Sequence, residues 1–541
     1  MSQSANSSEC IGRPRSFPGI VNITTIMDEG LKNKVMEPNF ISLPEKRTKE
    51  ETQNSKSDKL KTEKFSQYVA AISANMIWFA AGTMLTWSSP AIPLLQRDDS
   101  PFRITDDEAS WVGSLLPLGA VFGGPPFGML VNRFGRKPTL LALALPMMVG
   151  WVLILVTHSV TYLYVARFLC GLCLGGISFS VHIYVAEISE PSVRGLLCSI
   201  AQVTCNLGIL CSYAVGASGS YLALNITCLA IPVIFLLMFV WMPESPHYLI
   251  SQNDVEGARK SLQWLRGKNC NIDHELQILT VVSQENATNK VSSKDAFTDA
   301  VAIKALLISV GLIIAQQMGG VSVIFFNTQG IFNATGSELS DTLSSVIVGL
   351  AMAVMAFVTT PIVDRVGRRQ LLLLSSIVSM VSVFVLGLYF LLKEQLQRDV
   401  SSISWLPLAS LMVFICVYCL GLGSLPWIVM SEVLPPSIKG PAGAVVATVC
   451  WMTSFLLTNT FQMFVSQAGL FAVFWFFAAA CALSSTFIFF AVPETKGISL
   501  QEIQTKMSKN QTKCESDRTD MTSLESIELP NNPNNENIKI P

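Results

Sequence analysis

Twelve apolar stretches, each about long enough to cross a bilayer, leave this chain few ways to fold. They run near 67–88, 110–130, 138–157, 161–186, 195–217, 221–241, 301–326, 341–362, 370–392, 404–430, 440–463 and 468–491. A hydrocarbon core of about 30 Å takes roughly 20 residues of helix. Composition agrees: half of the 541 residues are hydrophobic, 14% are charged, and the mean hydropathy is +0.46. A soluble chain would carry about a quarter charged residues. The expected fold class is therefore an all-α membrane protein with twelve transmembrane helices.

Where the charges sit matters more than their sum of −1. No Ser-His-Asp, zinc-ligand or phosphate-loop pattern is present, so no enzyme, metal or cofactor is expected, and nothing points to nucleic acid. The partners expected are a small solute and the lipid bilayer, with the chain working as a monomer. Cys170 and Cys173 form a CxxC inside an apolar run, where packing is the simpler role. Basic residues concentrate at 131–137, 187–194, 365–369 and 437–439 and in the long connection 246–300, whereas 157–161, 217–222 and 464–469 are short and neutral or mixed. Positive charge marks the cytoplasmic side, so both termini are expected there, in a multi-pass protein of the plasma membrane. The expected layout is a disordered arm at 1–64, a six-helix bundle at 65–245, a linker at 246–300, a second bundle at 301–495 and a disordered tail at 496–541. The stretch VEGARKSLQWLRG (255–267) reads as a short amphipathic helix on the cytoplasmic face. Asn333-Ala334-Thr335 is a sequon in an expected outside connection, making Asn333 a candidate for glycosylation.

The two bundles echo one another. VNRFGRK (131–137) returns as VDRVGRR (363–369), VAEISEPSVRG (185–195) as MSEVLPPSIKG (430–440), and PESP (243–246) as PETKG (493–497), at offsets of 232, 245 and 250. Three motifs recurring in order imply a duplicated six-helix unit, the architecture of a rocking-bundle transporter. Cations at Arg133, Arg136, Arg194, Arg365, Arg368 and Lys439 face carboxylates at Glu187, Glu244, Asp364, Glu432 and Glu494. These pairs are expected to clamp the halves together on the cytoplasmic side while the outside is open, and to break as the halves rock. Asn132 stands where the second copy has Asp364, which predicts an asymmetric latch. Gln202 and Asn206 lie one turn apart in an apolar helix, where buried amides need a reason: a hydroxyl-rich ligand or helix-to-helix bonding. Gly319-Gly320 and Gly421-Leu422-Gly423 with Pro426 read as helix breaks lining a cavity or as close-packing points.

These motifs, with GMLVNRFGRK (128–137), ARFLCGLCLG (166–175), QQMGG (316–320) and GSLPW (423–427), resemble those of the sugar porters of the major facilitator superfamily, over about 65–500. SSPAIPLL (88–95) and the overall spacing look most like the insect-type facilitated trehalose transporters. The resemblance implies the major facilitator fold and a sugar site at mid-membrane. Carried over by motif, that site comprises Gln202, Gln316, Gln317, Ser322, Phe326, Trp427, Trp451 and Ser454. Asn206 joins it as the neighbour of Gln202. The chain departs from the family at Ser322, Cys450 and Met352, where asparagine is usual, at Ser424, where proline is usual, and at His247, where arginine is usual. The amide set is thinner, which weakens the case for glucose-like selectivity.

Proton-coupled relatives carry a carboxylate in the first span, whereas QYVAAISANMIWFAAGTMLTWSS (67–89) has neither acid nor base. No Asp or Glu sits mid-span elsewhere, and one there would cost roughly 3 kcal/mol to insert. The expected function is facilitative uniport of a sugar, trehalose or a hexose such as glucose, by alternating access. The rival readings are a porter of another polyol such as inositol, and a sugar sensor that does not transport.

Overall fold

The computed structural model describes residues 64–496 apart from 99, 101, 268–269, 289–299, 336–339 and 436–437. The polar arms expected at 1–64 and 496–541 thus lie almost wholly outside the described residues. Every apolar run is a helix: span 1 (Phe65–Leu95), span 2 (Asp106–Phe134), span 3 (Arg136–Val156), span 4 (Val160–Ile188), span 5 (Arg194–Gly216), span 6 (Tyr221–Phe239), span 7 (Ala300–Thr335), span 8 (from Asp341), span 9 (Arg368–Gln395), span 10 (Ser401–Val433), span 11 (Lys439–Ala468) and span 12 (Leu470–Ala491). Among the described residues there is no strand. The twelve spans fall into two six-helix halves joined by the linker, the arrangement that the resemblance implies. An even number of spans puts 245–300 and both ends of the described chain on one face, the linker side; the other face is the far side.

Apolar side chains gain nothing by leaving lipid for each other, so spans associate where small residues let backbones touch. Spans 2 and 4 do this along a shared stripe. A Cβ on Gly119 would meet Phe168 O at 2.3 Å and one on Gly123 would meet Leu172 O at 2.0 Å; from span 4, Gly171 would meet Leu116 O at 2.2 Å and Gly175 Ala120 O at 2.3 Å. The glycines of ARFLCGLCLG are therefore packing surface.

Each half has its own core, one around Leu116, Leu174 and Phe235, the other around Leu312, Leu386 and Phe414. The halves meet along spans 2 and 11, spans 5 and 8, and the far-side parts of spans 1 and 7. Their hydrogen bonds share one character: Ser88 Oγ donates to Phe326 O (3.3 Å), Gln329 N to Ser89 Oγ (3.1 Å), Ser110 Oγ to Asn459 O (2.9 Å), Ser114 Oγ to Asn459 Oδ1 (3.1 Å) and Tyr213 Oη to Phe325 O (3.2 Å). All are neutral, and all sit from mid-span outward to the far side. Among the described residues none joins the halves at the linker-side ends, so the structure is closed on the far side.

The linker forms the helix expected at 255–267, observed as Val255–Arg266 between Pro246–Ser251 and Asp273–Thr288. Its small core is Ile250, Ala258, Leu262, Ile272 and Leu276. Arg266, the last residue of that helix, is 3% exposed. It forks onto Glu275 (3.0 and 2.7 Å) and donates from Nη1 to Ile188 O (2.9 Å), pinning the linker to the end of span 4. The Asn333 sequon also differs from expectation: it lies in the last helical turn of Val321–Thr335, with Asn333 exposed and Thr335 buried.

Overpacking a filled contact costs about 1–3 kcal/mol. Gly171→Ala should lower the thermal midpoint of the purified protein measurably. Gly440→Ala, where a Cβ meets nothing within 4 Å, should leave it unchanged or slightly raised.

Candidate functional site

The two basic turns end in two matching cages. In each, the chain reverses on a glycine with positive φ, +106° at Gly135 and +109° at Gly367, and restarts a helix at the next arginine. The first amides of that helix lack partners within the helix, and its dipole favours negative charge there. Glu244 takes the amides of Arg136 and Lys137 (both 3.1 Å); Glu494 takes those of Arg368 (3.0 Å) and Arg369 (3.1 Å). A Cβ on either glycine would run into this carboxylate, at 2.4 Å from Glu244 Oε2 and 3.0 Å from Glu494 Oε2. Burial pushes the Glu244 carboxyl above its ordinary range, against the pull of the Ser245, Lys137 and Arg136 amides.

The arginine of each turn reaches a second carboxylate. Arg136 forks onto Glu187 from Nε (2.9 Å) and Nη2 (2.7 Å), and Arg368 Nη2 donates to Glu432 at 3.2 Å. A hydroxyl completes each cage, Ser245 donating to Glu187 and Thr495 to Glu432. Sequence reasoning missed both hydroxyls, although each directly follows the glutamate of PES or PET. Arg194 donates to Ser189 O (3.4 Å) and, at the matching place, Lys439 to Ser431 O (3.0 Å). His247 sits in the first cage, where burial lowers its pKa, with Glu187 opposing and Arg194 and Arg136 reinforcing that shift.

These charges were expected to bridge the halves while the far side is open; in this structure, which is closed on the far side, they pair within each half. Arg136 with Glu187 and Glu244, and Arg368 with Glu432 and Glu494, all pair inside one half. The reason is local: each six-helix unit brings the ends of its own third, fourth and sixth spans together on the linker side. Asn132 and Arg133 are exposed; the Asn132 amide donates to Gly128 O (3.3 Å), and Arg133 lies over the Phe134 ring at 5.5 Å. Arg365 contributes its carbonyl to Lys496 Nζ (2.5 Å). The Asp364 side chain lies outside the described residues.

At mid-membrane the glycine breaks are realised. Span 7 stops at Met318 and resumes at Val321 through Gly320 (φ +86°), and span 10 is open between Leu420 and Leu425. Gln316 spans both breaks, its Nε2 donating to the freed carbonyls of Leu422 (2.7 Å) and Gly423 (2.8 Å). Beside it runs a side-chain relay: Ser454 Oγ donates to Ser322 Oγ (2.9 Å), Ser322 to Gln317 Oε1 (2.6 Å), and Gln317 Nε2 to Cys450 Sγ (3.2 Å). Thiol sulfur is a weak acceptor, so the Gln317 donor is held loosely. Trp427 packs on Ile313, Val446 and Cys450, next to this relay. Trp451 crosses to pack against the first-half core, where Phe326 is also buried. Gln202, exposed on span 5, donates to Asn206 Oδ1 (2.9 Å), and buried Asn206 donates to Met352 O (2.8 Å) across the halves. The candidate residues thus divide. Gln317, Ser322, Ser454 and Trp427 cluster, whereas Gln316 and Asn206 hold backbone and Phe326 packs at the interface. The indole N–H groups of Trp78, Trp151, Trp451 and Trp475 are all buried without protein partners.

A family model described as "Sugar (and other) transporter" matches residues 39–507. The chain is 35% identical to the facilitated trehalose transporter Tret1 of Bombyx mori over 489 residues, 89% of this chain and 96% of that protein. It is 36% identical to the Tret1 of Apis mellifera ligustica over 447 residues, 82% of this chain and 88% of that one. Among solved structures it is similar to the proton:xylose symporter XylE bound to 6-bromo-6-deoxy-D-glucose, with a TM-score of 0.65 at 21% identity over 82% of this chain and 98% of that one. It is likewise similar to an inward open conformation of XylE from E. coli, with a TM-score of 0.66 at 20% identity over 82% of this chain and 99% of that one.

Removing one partner of a buried pair costs about 3–5 kcal/mol, and the 13% and 17% exposure of Arg136 and Glu187 puts Glu187→Gln toward the lower end. Because the cages share no residue, Glu187→Gln and Glu432→Gln should destabilise additively in thermal or chemical melts. A coupling energy above about 1 kcal/mol would show that the cages communicate.

Proposed function

The chain belongs to the Sugar (and other) transporter family, and we propose from this that it carries trehalose or a hexose passively across the plasma membrane by alternating access. The linker side is the cytoplasmic side on this reading, because the basic connections lie there, and the far-side closure makes the present arrangement inward-facing. The observation that carries the proposal is the broken pair of spans, 7 and 10, with the Ser454–Ser322–Gln317 relay beside them. Hydroxyls and an amide can each donate and accept, which suits a neutral polyhydroxylated ligand. Trp427 supplies a flat apolar surface for a ring face. Gln317, Ser322, Ser454, Trp451, Trp427 and Gln202 are the contacts proposed. Gln316 and Asn206 serve instead as struts that hold the breaks and the pivot between spans 5 and 8.

Passive transport is supported by the surroundings of Arg167. This guanidinium is fully buried in span 4. It donates to Val112 O (3.1 Å) and Met84 O (3.0 Å) and lies over the Trp87 ring at 5.1 Å. Among the described residues no carboxylate lies within ion-pair distance of it, so no carboxylate stands there to exchange a proton with it.

Radiolabelled trehalose, glucose and inositol uptake in one heterologous cell tests the proposal. Uptake of trehalose or glucose should saturate and ignore a protonophore; strongly protonophore-sensitive uptake would contradict it. Gln317→Leu removes one neutral donor–acceptor group, worth about 0.5–1.5 kcal/mol per bond, so the uptake KM should rise about three- to tenfold with expression unchanged.

A further inference from the structure

A second polar space lies between the halves, beyond the contacts that close the far side. It is a cavity of about 280 Å³ walled by the ends of spans 1, 2, 7 and 11. Its polar wall groups include Gln96, Asp106, Asn327 and Gln462, and its apolar walls include Phe326 and Phe461. Gln96 Nε2 donates to Asp106 Oδ1 (2.8 Å) at the mouth, and Asn327 Nδ2 is turned back onto Val323 O (3.1 Å). Ser88, Ser89 and Ser110 line the same space while also making the bonds that hold spans 1 and 2 to spans 7 and 11. Two glycines, Gly113 from the first half and Gly330 from the second, face it, and a Cβ on either would meet nothing within 4 Å. That separates them from Gly119, Gly123, Gly171 and Gly175, whose missing side chains are filled by backbone. At these two places the absent side chain leaves space.

We propose that this far-side vestibule is an outer sugar site, which holds one polyhydroxylated ring while the central relay is open only to the linker side. The inference rests on the transport reading above. Its volume is near the lower end of small-molecule pockets, which start at about 300 Å³, and so fits one ring with its rim exposed. Amide and carboxylate groups at the wall match hydroxyls, and Phe326 and Phe461 add apolar wall for the C–H groups of a pyranose. A ring held there lies one layer of serine hydrogen bonds from the central site. Opening those bonds would pass it inward without return to bulk solvent.

The test places a thiol in the open space. Cells expressing Gly330→Cys, with Gly113→Cys as the second variant, are treated from outside with a membrane-impermeant methanethiosulfonate reagent; the wild-type chain gives the background. Extracellular trehalose should slow modification by a factor of about 1 + [L]/Kd, and glycine betaine at equal osmolarity should not. The slowing should persist in a Gln317→Leu background, because the vestibule lies apart from the relay. Protection that vanishes with Gln317→Leu would mean that sugar acts through the central site, and would overturn the outer site. Absent protection by trehalose or glucose in both cysteine variants, with normal wild-type uptake, would overturn it too and leave the transport reading standing. Sugar uptake by the wild-type chain, measured in parallel, separates a missing carrier from a missing outer site.

Discussion

A carboxylate pressed against the first amides of a helix, with an arginine from that helix forked onto a second carboxylate, organises each half of this molecule. Glu244 and Glu187 do this around Arg136, and Glu494 and Glu432 do it around Arg368. Each cage gathers the ends of three spans that bilayer insertion alone would leave free to slide. It needs a glycine at positive φ to bring the carboxylate in, a cation one residue later, and a hydroxyl to close it. The sequence repeats because the cage is needed once per bundle.

Magnitudes then separate the two kinds of contact. Losing a buried charged partner costs about 3–5 kcal/mol, whereas a neutral hydrogen bond contributes about 0.5–1.5 kcal/mol. The strong interactions lie inside each half, and the bonds between halves run through serine, asparagine and tyrosine to carbonyls and hydroxyls. The halves can therefore part along their interface at a fraction of the cost of disrupting either one. Under the transport proposal, that difference is what lets two bundles rock without unfolding.

Much of the fold could be read from the chain. The apolar runs, the doubled motifs and the breaks at Gly319-Gly320 and Gly421–Gly423 each have a direct physical cause in residue type and spacing. The pairing of charges was not legible in the same way. Side of the membrane follows from where cations fall along the chain, but Arg136 and Arg368 could have reached across the halves or within them, and only packing decides. The same limit applied to the amides. Gln316 and Asn206 have the chemistry of sugar ligands, yet one ties off carbonyls freed at a helix break and the other spans the halves to Met352 O. The burial of Arg266 at the end of the amphipathic stretch was equally illegible, because it depends on Glu275 one helix later to neutralise it.

The central claim is that each half moves as a rigid body held by its own cage. Spin labels at Gly128, Gly195 and Gly440, where a side chain meets nothing within 4 Å, allow pulsed electron–electron distance measurements on the linker side. The Gly128–Gly195 distance, within one half, should stay constant when trehalose is added, while the Gly195–Gly440 distance, between halves, should shift or redistribute. A change within the half as large as the change between halves would contradict the account.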